Sequence, residues 1–291
     1  MKKGINKSSK VRKSPGEFLL FAIVFIFFVL YALALIYPLI WGLISSLKSY
    51  KEYHKDPFGL PKILQLGNYI AAVKTISNEG MSFTNMLWNS IWFSVGSAVI
   101  HMEFTSAYAY VLNKYNFRGK KFLYGLCLFL MAVPIGATFV STYRLMHGLH
   151  ITNSYLILLT AINVYGMKLI MCYSYYNNIS NAYVEAAQID GAGFYKTYFK
   201  TMRPQATPIL VTLIVLEFIS KWNDYMAPLL YLSKMPTLAT GLYRYQETVA
   251  WSGNYPILFA GILICSLPLF IIFIFFSNKL MENINIGGLK G

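Results

Sequence analysis

Charge is scarce in this chain. Asp, Glu, Lys and Arg together make up 12% of its 291 residues, about half the share found in an ordinary soluble domain. With 56% hydrophobic residues, that scarcity excludes a soluble globular protein and places the chain in the membrane class. Cysteine is scarce as well. Cys127, Cys172 and Cys265 are odd in number and lie inside apolar runs, which excludes a disulfide framework and leaves buried packing as their expected role. The chain has no G-x-x-x-x-G-K-[ST] loop, so it lacks that cradle for ATP phosphates. It also shows no nucleophile–base set and no His/Cys/Asp ligand cluster, and the neighbours His101 and Glu103 are too few for a metal or proton site. No enzyme activity, metal or cofactor is therefore expected on this chain. No internal repeat is visible, which counts against a self-sufficient secondary transporter.

What is present is a series of long apolar runs. Residues 18–47, 122–143 and 255–277 contain no Asp, Glu, Lys or Arg. Three further runs are less pure: 86–112 with Glu103, 155–177 with Lys168, and 206–232 with Glu217, Lys221 and Asp224. About 20 apolar residues cross a bilayer core, so six transmembrane helices in an all-α membrane protein are expected. The basic start (Lys2, Lys3, Lys7, Lys10, Arg12, Lys13) precedes an apolar run far longer than a signal h-region and without a small-x-small cleavage site. This reads as an uncleaved anchor.

Lysine and arginine then set the orientation. One set of alternate segments (1–17, 113–121, 178–205 and 278–291) holds fifteen of them, and the other set holds eight. Both termini and the 178–205 loop are thus expected in the cytoplasm. The expected parts are a basic tail (1–17), a first transmembrane helix (18–47), an external loop (48–84), a five-helix core (85–277) that includes the 178–205 loop, and a C-terminal tail (278–291). The formal charge of +14 is mostly this topology signal. No basic stripe with interleaved aromatics points to nucleic acid. In 48–84, Pro57-Phe58-Gly59-Leu60-Pro61 cannot continue a helix; it reads as a surface loop or as a contact for an external partner. Pro134 and Gly136 lie in the middle of the third run and predict a kink or break.

The 178–205 loop is unusual in so apolar a chain. Ser180 or Asn181 can cap a helix whose first turns hold Glu185, where negative charge suits the helix dipole. Ala186 and Ala187 favour helix and have little bulk, so another surface can come close. After Gln188-Ile189-Asp190, Gly191 can take the left-handed conformation that ends the helix. A second segment, 194–202, carries Phe194, Tyr198 and Thr201 on one face, and Pro204 is expected to stop it. Two short helices hinged at a glycine suit either a docking element or an interfacial helix lying in lipid headgroups.

Charges inside the runs are costly and need protein, water or partners. Glu217, Lys221 and Asp224 recur at spacings of four and three, on one helix face. A Glu217–Lys221 pair is expected, serving a translocation path or gate, or else a structural contact with a neighbouring subunit. The fourth run holds Asn163, Tyr165, Lys168 and Tyr173-Ser174-Tyr175-Tyr176. Asn and Tyr suit a sugar path, whereas Tyr173 to Tyr176 fit an interfacial anchor. Lys168 is expected to snorkel or to pair with Glu103.

At the 178–205 loop the chain resembles the permease subunits of binding-protein-dependent ABC importers. Glu185, Ala186, Ala187, Gly191 and Pro204 match an E-A-A-x-x-x-G signature with its later proline, while Thr201 and Arg203 depart from that family's Ile and Leu. Trp222-Asn223-Asp224-Tyr225 with Pro228-Leu229 resembles the W-N-[DE]-[FY] patch of the smaller permease subunit in maltose-type carbohydrate importers. Gly287-Gly288-Leu289-Lys290-Gly291 is similar to the G-A-V-K-G ending of those subunits. Ser46-Leu47-Lys48, the 57–61 turn and Asn68-Tyr69 resemble their first external segment. The likeness covers about residues 18–291.

The resemblance implies a multi-pass subunit of the bacterial cytoplasmic membrane, paired with a second permease. It also implies an ATPase dimer that binds ATP and Mg, an external solute-binding protein and a carbohydrate cargo, with lipid around the helices. Glu185, Ala186, Ala187, Asp190, Gly191 and Pro204 would couple to the ATPase. Glu217, Lys221, Trp222, Asn223, Asp224, Asn163 and Lys168 are candidates for the path or gate, and Gly288 and Lys290 for a tail contact with the ATPase. The same machinery with a peptide, amino-acid or glycerol-phosphate cargo stays open.

Overall fold

The computed structural model describes residues 15–77, 81–133 and 139–284, and no β-strand occurs among them. The first half comprises α1 (Pro15–Ser46), α2 (Tyr50–Lys55), α3 (Gly67–Ile76), α4 (Phe83–Lys114), α5 (Lys120–Ala132), α6 (Phe139–Gly148), a 3-10 stretch (Tyr155–Ala161) and α7 (Met167–Asn178). Next come α8 (Ala182–Ile189), α9 (Phe194–Thr197), a π turn (Tyr198–Met202) and α10 (Arg203–Gln205). The last part is α11 (Thr207–Trp222), α12 (Met226–Tyr231), α13 (Leu238–Ser252) and α14 (Tyr255–Ile284).

α4 is the central element and packs between α7 and α11. The composition of its inner face explains why. Ser94, Ser97, Ala98, Thr105, Ser106 and Ala109 are all buried, and such small side chains let neighbouring backbones approach closely where lipid supplies no hydrophobic drive. One core cluster gathers Met102 and Tyr110 of α4, Leu169 and Tyr176 of α7, and Leu210 and Leu213 of α11. A second joins Ile76, Ala98, Phe218, Trp222 and Cys265, which ties α3 and α14 to the same centre. All three cysteines are buried and free.

Among the described residues two helices are long and apolar enough to cross a membrane, over Gly16–Ser46 and Tyr255–Asn278. The first leaves its apolar window wholly unburied by protein, a surface suited to lipid or to another subunit. A third candidate is bent: Phe194–Gln205 meets Thr207–Trp222 at 79°.

The 86–112 run is one unbroken helix, α4, whereas the remaining three expected spans are interrupted. In the 122–143 run, α5 ends at Ala132 and α6 begins at Phe139; Pro134 and Gly136 lie outside the described residues, as do residues 1–14 of the basic tail and Gly288 and Lys290. In the 155–177 run a 3-10 stretch gives way to α7 only after Gly166, whose φ of 103° no branched residue would adopt readily. In the 206–232 run α11 ends at Trp222 and the chain restarts as α12. The connection between the last two runs contains a full helix, α13. The Thr237 side chain caps its start by accepting from the Thr240 N–H, and left-handed Gly253 ends it.

Candidate coupling site and buried polar cluster

α8 is short and ends as its glycine requires. Gly191 has φ 73°, its N–H donates to the Gln188 carbonyl, and the Ala192 N–H reaches back to Ala187 at 2.9 Å. This paired closure satisfies the last carbonyls of the helix. At the other end the Ser180 hydroxyl accepts from the Ala182 N–H. Asn181 gives no cap; its Oδ1 instead accepts from Lys114 Nζ at 2.9 Å.

Pro204 does not stop the second segment, contrary to expectation. The chain widens into the π turn just before it, with the Arg203 N–H donating to the Tyr198 carbonyl. A wider turn absorbs the donor that proline lacks and relieves its ring clash. The helix continues to Gln205, and the direction changes around Ala206. Pro208 then lies in the first turn of α11, where proline is tolerated.

The loop has a fixed inner side. Val184, Ala187, Thr197, Tyr198 and Met202 are buried. The Tyr198 hydroxyl donates to Ser106 Oγ at 3.0 Å, and Ser106 meets the Tyr176 hydroxyl at 2.8 Å. The Phe194 ring lies 5.2 Å from that of Tyr115. Arg203 forks onto Glu103 of α4, with Nε to Oε2 at 2.9 Å and a second, closer contact from its terminal nitrogen to Oε1. Glu103 is thus paired with Arg203 and not with Lys168. The arginine that departs from the resembled motif braces the loop against α4. This pair is half-exposed, so a double-mutant cycle of Arg203→Ala and Glu103→Ala should return a coupling of about 1 kcal/mol. Strictly additive melting shifts would remove the bracing role.

The outer side is free of protein. Glu185, Ala186, Asp190 and Pro204 are exposed, and Ile189 is 86% exposed and Tyr195 75% exposed. Ile189 and Tyr195 are candidate contacts that the sequence pattern did not single out, although an apolar residue before a helix-ending Asp-Gly is a readable signal. Apolar side chains held out by the loop form an exposed patch of the kind that meets another protein or a membrane surface.

A second polar site lies where α4, α7 and α11 meet. Glu217, 4% exposed, faces His101 Nδ1 at 3.0 Å through one oxygen and Lys168 Nζ at 2.5 Å through the other. The expected Glu217–Lys221 pair is not formed. Lys221 turns instead towards Asp224 at 3.7 Å, and Asp224 Oδ1 accepts from the Ala227 N–H at the start of α12. Helix spacing allowed the Glu217–Lys221 pair, but Glu217 points into the α4 interface while Lys221 lies a turn away. His101 contributes a partner that its sequence neighbours did not reveal. Among the described residues no group of three or more His, Cys, Asp or Glu could hold a metal ion.

The remaining path candidates are dispersed. Trp222 is buried and donates Nε1–H to the Cys265 carbonyl at 3.0 Å. Asn223 is exposed and folds back to the Ile219 carbonyl. Both residues border a cavity of about 220 Å3 with Tyr225, Tyr243 and Gln246. The rings of Tyr225 and Tyr243 stack at 4.4 Å and 12°. Asn163 lies half-buried in the break between the 3-10 stretch and α7, away from that cavity.

Helices of membrane-crossing length around a close-packed core place the chain among helical membrane proteins. The family described as binding-protein-dependent transport system inner membrane component matches residues 104–282, and the chain belongs to it. The chain is 27% identical over 271 residues to the arabinooligosaccharides transport system permease protein AraQ of Bacillus subtilis, covering 91% of this chain and 94% of that protein. It is also 27% identical over 263 residues to the diacetylchitobiose uptake system permease protein NgcG of Streptomyces coelicolor, covering 89% and 85%. In fold it is similar to a chain from the crystal structure of a bacterial ABC transporter involved in the import of the acidic polysaccharide alginate. The TM-score is 0.76, with 22% identity, 92% of this chain and 99% of that one covered.

Proposed function

We propose that this chain is one of two permease subunits in an ATP-driven importer that carries a sugar or oligosaccharide across the bacterial cytoplasmic membrane. In this reading the chain crosses the membrane six times with both termini inside, and its partners are a second permease, an ATPase dimer and an external solute-binding protein. ATP and Mg act on the ATPase. The observation that carries the reading is the 182–205 loop: Glu185, Ala186 and Ile189 stand outward while Tyr198, Met202 and the Glu103–Arg203 pair hold the inner side to α4. A nucleotide-driven movement of a partner seated on that face is passed to α11 as rigid-body motion. The carbohydrate cargo is supported by the names of the relatives and by the Tyr225–Tyr243 stack beside Asn223 and Gln246, since sugar CH faces stack on aromatic rings.

Calorimetric titration of the cognate binding protein with mono-, di- and oligosaccharides tests the cargo. Saturable heat with one sugar class is expected, and affinity for a peptide or glycerol phosphate alone would overturn the carbohydrate assignment. Uptake by this chain alone in proteoliposomes, driven by an ion gradient, would overturn the importer as a whole.

A further inference from the structure

The segment after α1 is built as rigidly as a small domain. Lys48, fully buried, donates from Nζ to the carbonyls of Asp56 at 2.8 Å and Pro57 at 3.1 Å. Trp41 Nε1–H donates to the same Pro57 carbonyl, and Asn68 Nδ2 donates to the carbonyls of Ser46 and Lys48. This framework holds outward what a loop in water would fold away. Phe58 is 71% exposed and Leu60 77%, and Ile63, Leu64 and Leu66 are exposed as well. Phe58 lies beside Trp41 of α1, their ring centroids 6.1 Å apart.

The charges of the segment are arranged to match. Lys51, Lys55 and Lys62 are exposed and border, with Leu60 and Ile63, a cavity of about 460 Å3. The two carboxylates on its rim are engaged by the backbone. Glu52 Oε1 accepts from the Lys62 N–H at 2.6 Å, and Asp56 Oδ1 accepts from the N–H groups of Phe58 and Gly59. None of the three lysines forms an ion pair among those seen in the described residues. Ammonium groups and exposed apolar side chains around one cavity, next to a helix whose apolar surface no part of this chain covers, combine the two chemistries of a membrane interface.

We infer that residues 50–66 form a binding site for an anionic phospholipid of the leaflet opposite the coupling loop. Lys51, Lys55 and Lys62 hold the phosphate headgroup, and Leu60 and Ile63 meet its acyl chains. The leaflet assigned here rests on the orientation proposed above; the lipid contact itself does not. The site fixes the outer end of α1 and, through the edge-to-face contact of Trp41 with Phe259 at 4.9 Å, the outer end of α14 as well.

The test uses the full transporter complex in nanodiscs of phosphatidylcholine with or without phosphatidylglycerol. A spin label at Leu60→Cys should be reached by oxygen and shielded from a water-soluble nickel chelate. Lipid binding followed by native mass spectrometry should favour phosphatidylglycerol. The triple variant Lys51→Gln, Lys55→Gln, Lys62→Gln should weaken that binding by roughly fivefold per lysine, on the order of a hundredfold in all. Equal binding of both lipids by the native complex, or a chelate-accessible Leu60 label, would overturn the site. A label exposed in nanodiscs and shielded only when the external binding protein is added would make the segment a protein dock instead. Labelling of Lys62→Cys in intact cells by an impermeant maleimide reports the orientation separately, so a failure of topology is distinguishable from a failure of lipid binding.

Discussion

Lys168→Met should destabilise the purified transporter by about 3–5 kcal/mol, the usual cost of leaving one member of a buried ion pair without its partner. The two partners differ in burial, and this sets the order of effects. Glu217 is 4% exposed, whereas the Lys168 side chain keeps 28% of its surface. Without Lys168, the carboxylate has only His101 within reach. Without Glu217, the lysine can still turn its ammonium towards water. Glu217→Gln should therefore cost less than Lys168→Met, and the double variant, which removes both charges, should recover much of the loss. Thermal unfolding of the assembled complex would measure all three. A double variant no more stable than Lys168→Met would show that the charges do not depend on each other.

Gly191→Trp should abolish ATP-driven uptake while leaving the subunit folded in the membrane. The backbone at Gly191 is left-handed, which costs a non-glycine residue about 1–2 kcal/mol, and a side chain there meets nothing within 4 Å. The damage thus falls on the exposed face of the loop, where an indole would project into open space next to Asp190. Glu185→Ala should also lose uptake, since Glu185 is exposed and forms no ion pair among those seen in the described residues. Gly191→Asn is the control: asparagine tolerates the left-handed region and should retain part of the transport. Reconstituted uptake with the ATPase and binding protein present is the measurement, and normal uptake by Gly191→Trp would end the docking role.

Local chemistry was readable wherever it was self-contained. α1 and α14 follow from charge-free apolar runs, and α8 with its glycine end follows from helix formers before Gly191. Features set by distant partners were not readable in this way. Glu217 and Lys221 have the spacing of a pair, yet Glu217 finds His101 and Lys168, more than forty residues away on other helices. Arg203 looks like a lapse from a motif until Glu103 is seen opposite it, a hundred positions earlier. Pro204 signals a helix end by its own chemistry, and only the adjacent π turn allows the chain to run past it. α13 differs: Thr237 and Gly253 bracket it with ordinary start and stop signals inside the connection between the last two apolar runs.

The 79° angle between the loop helix and α11 makes this joint a crank and not a piston. The cosine of 79° is about 0.19, so a push along the loop helix advances α11 along its own axis by only about a fifth of the stroke. The sideways component is almost the full stroke, a swing of α11 against α4 and α14. Under the proposed docking role, such a joint would open and close the importer by leaning its helices, with little travel of Glu217 along the axis of α11.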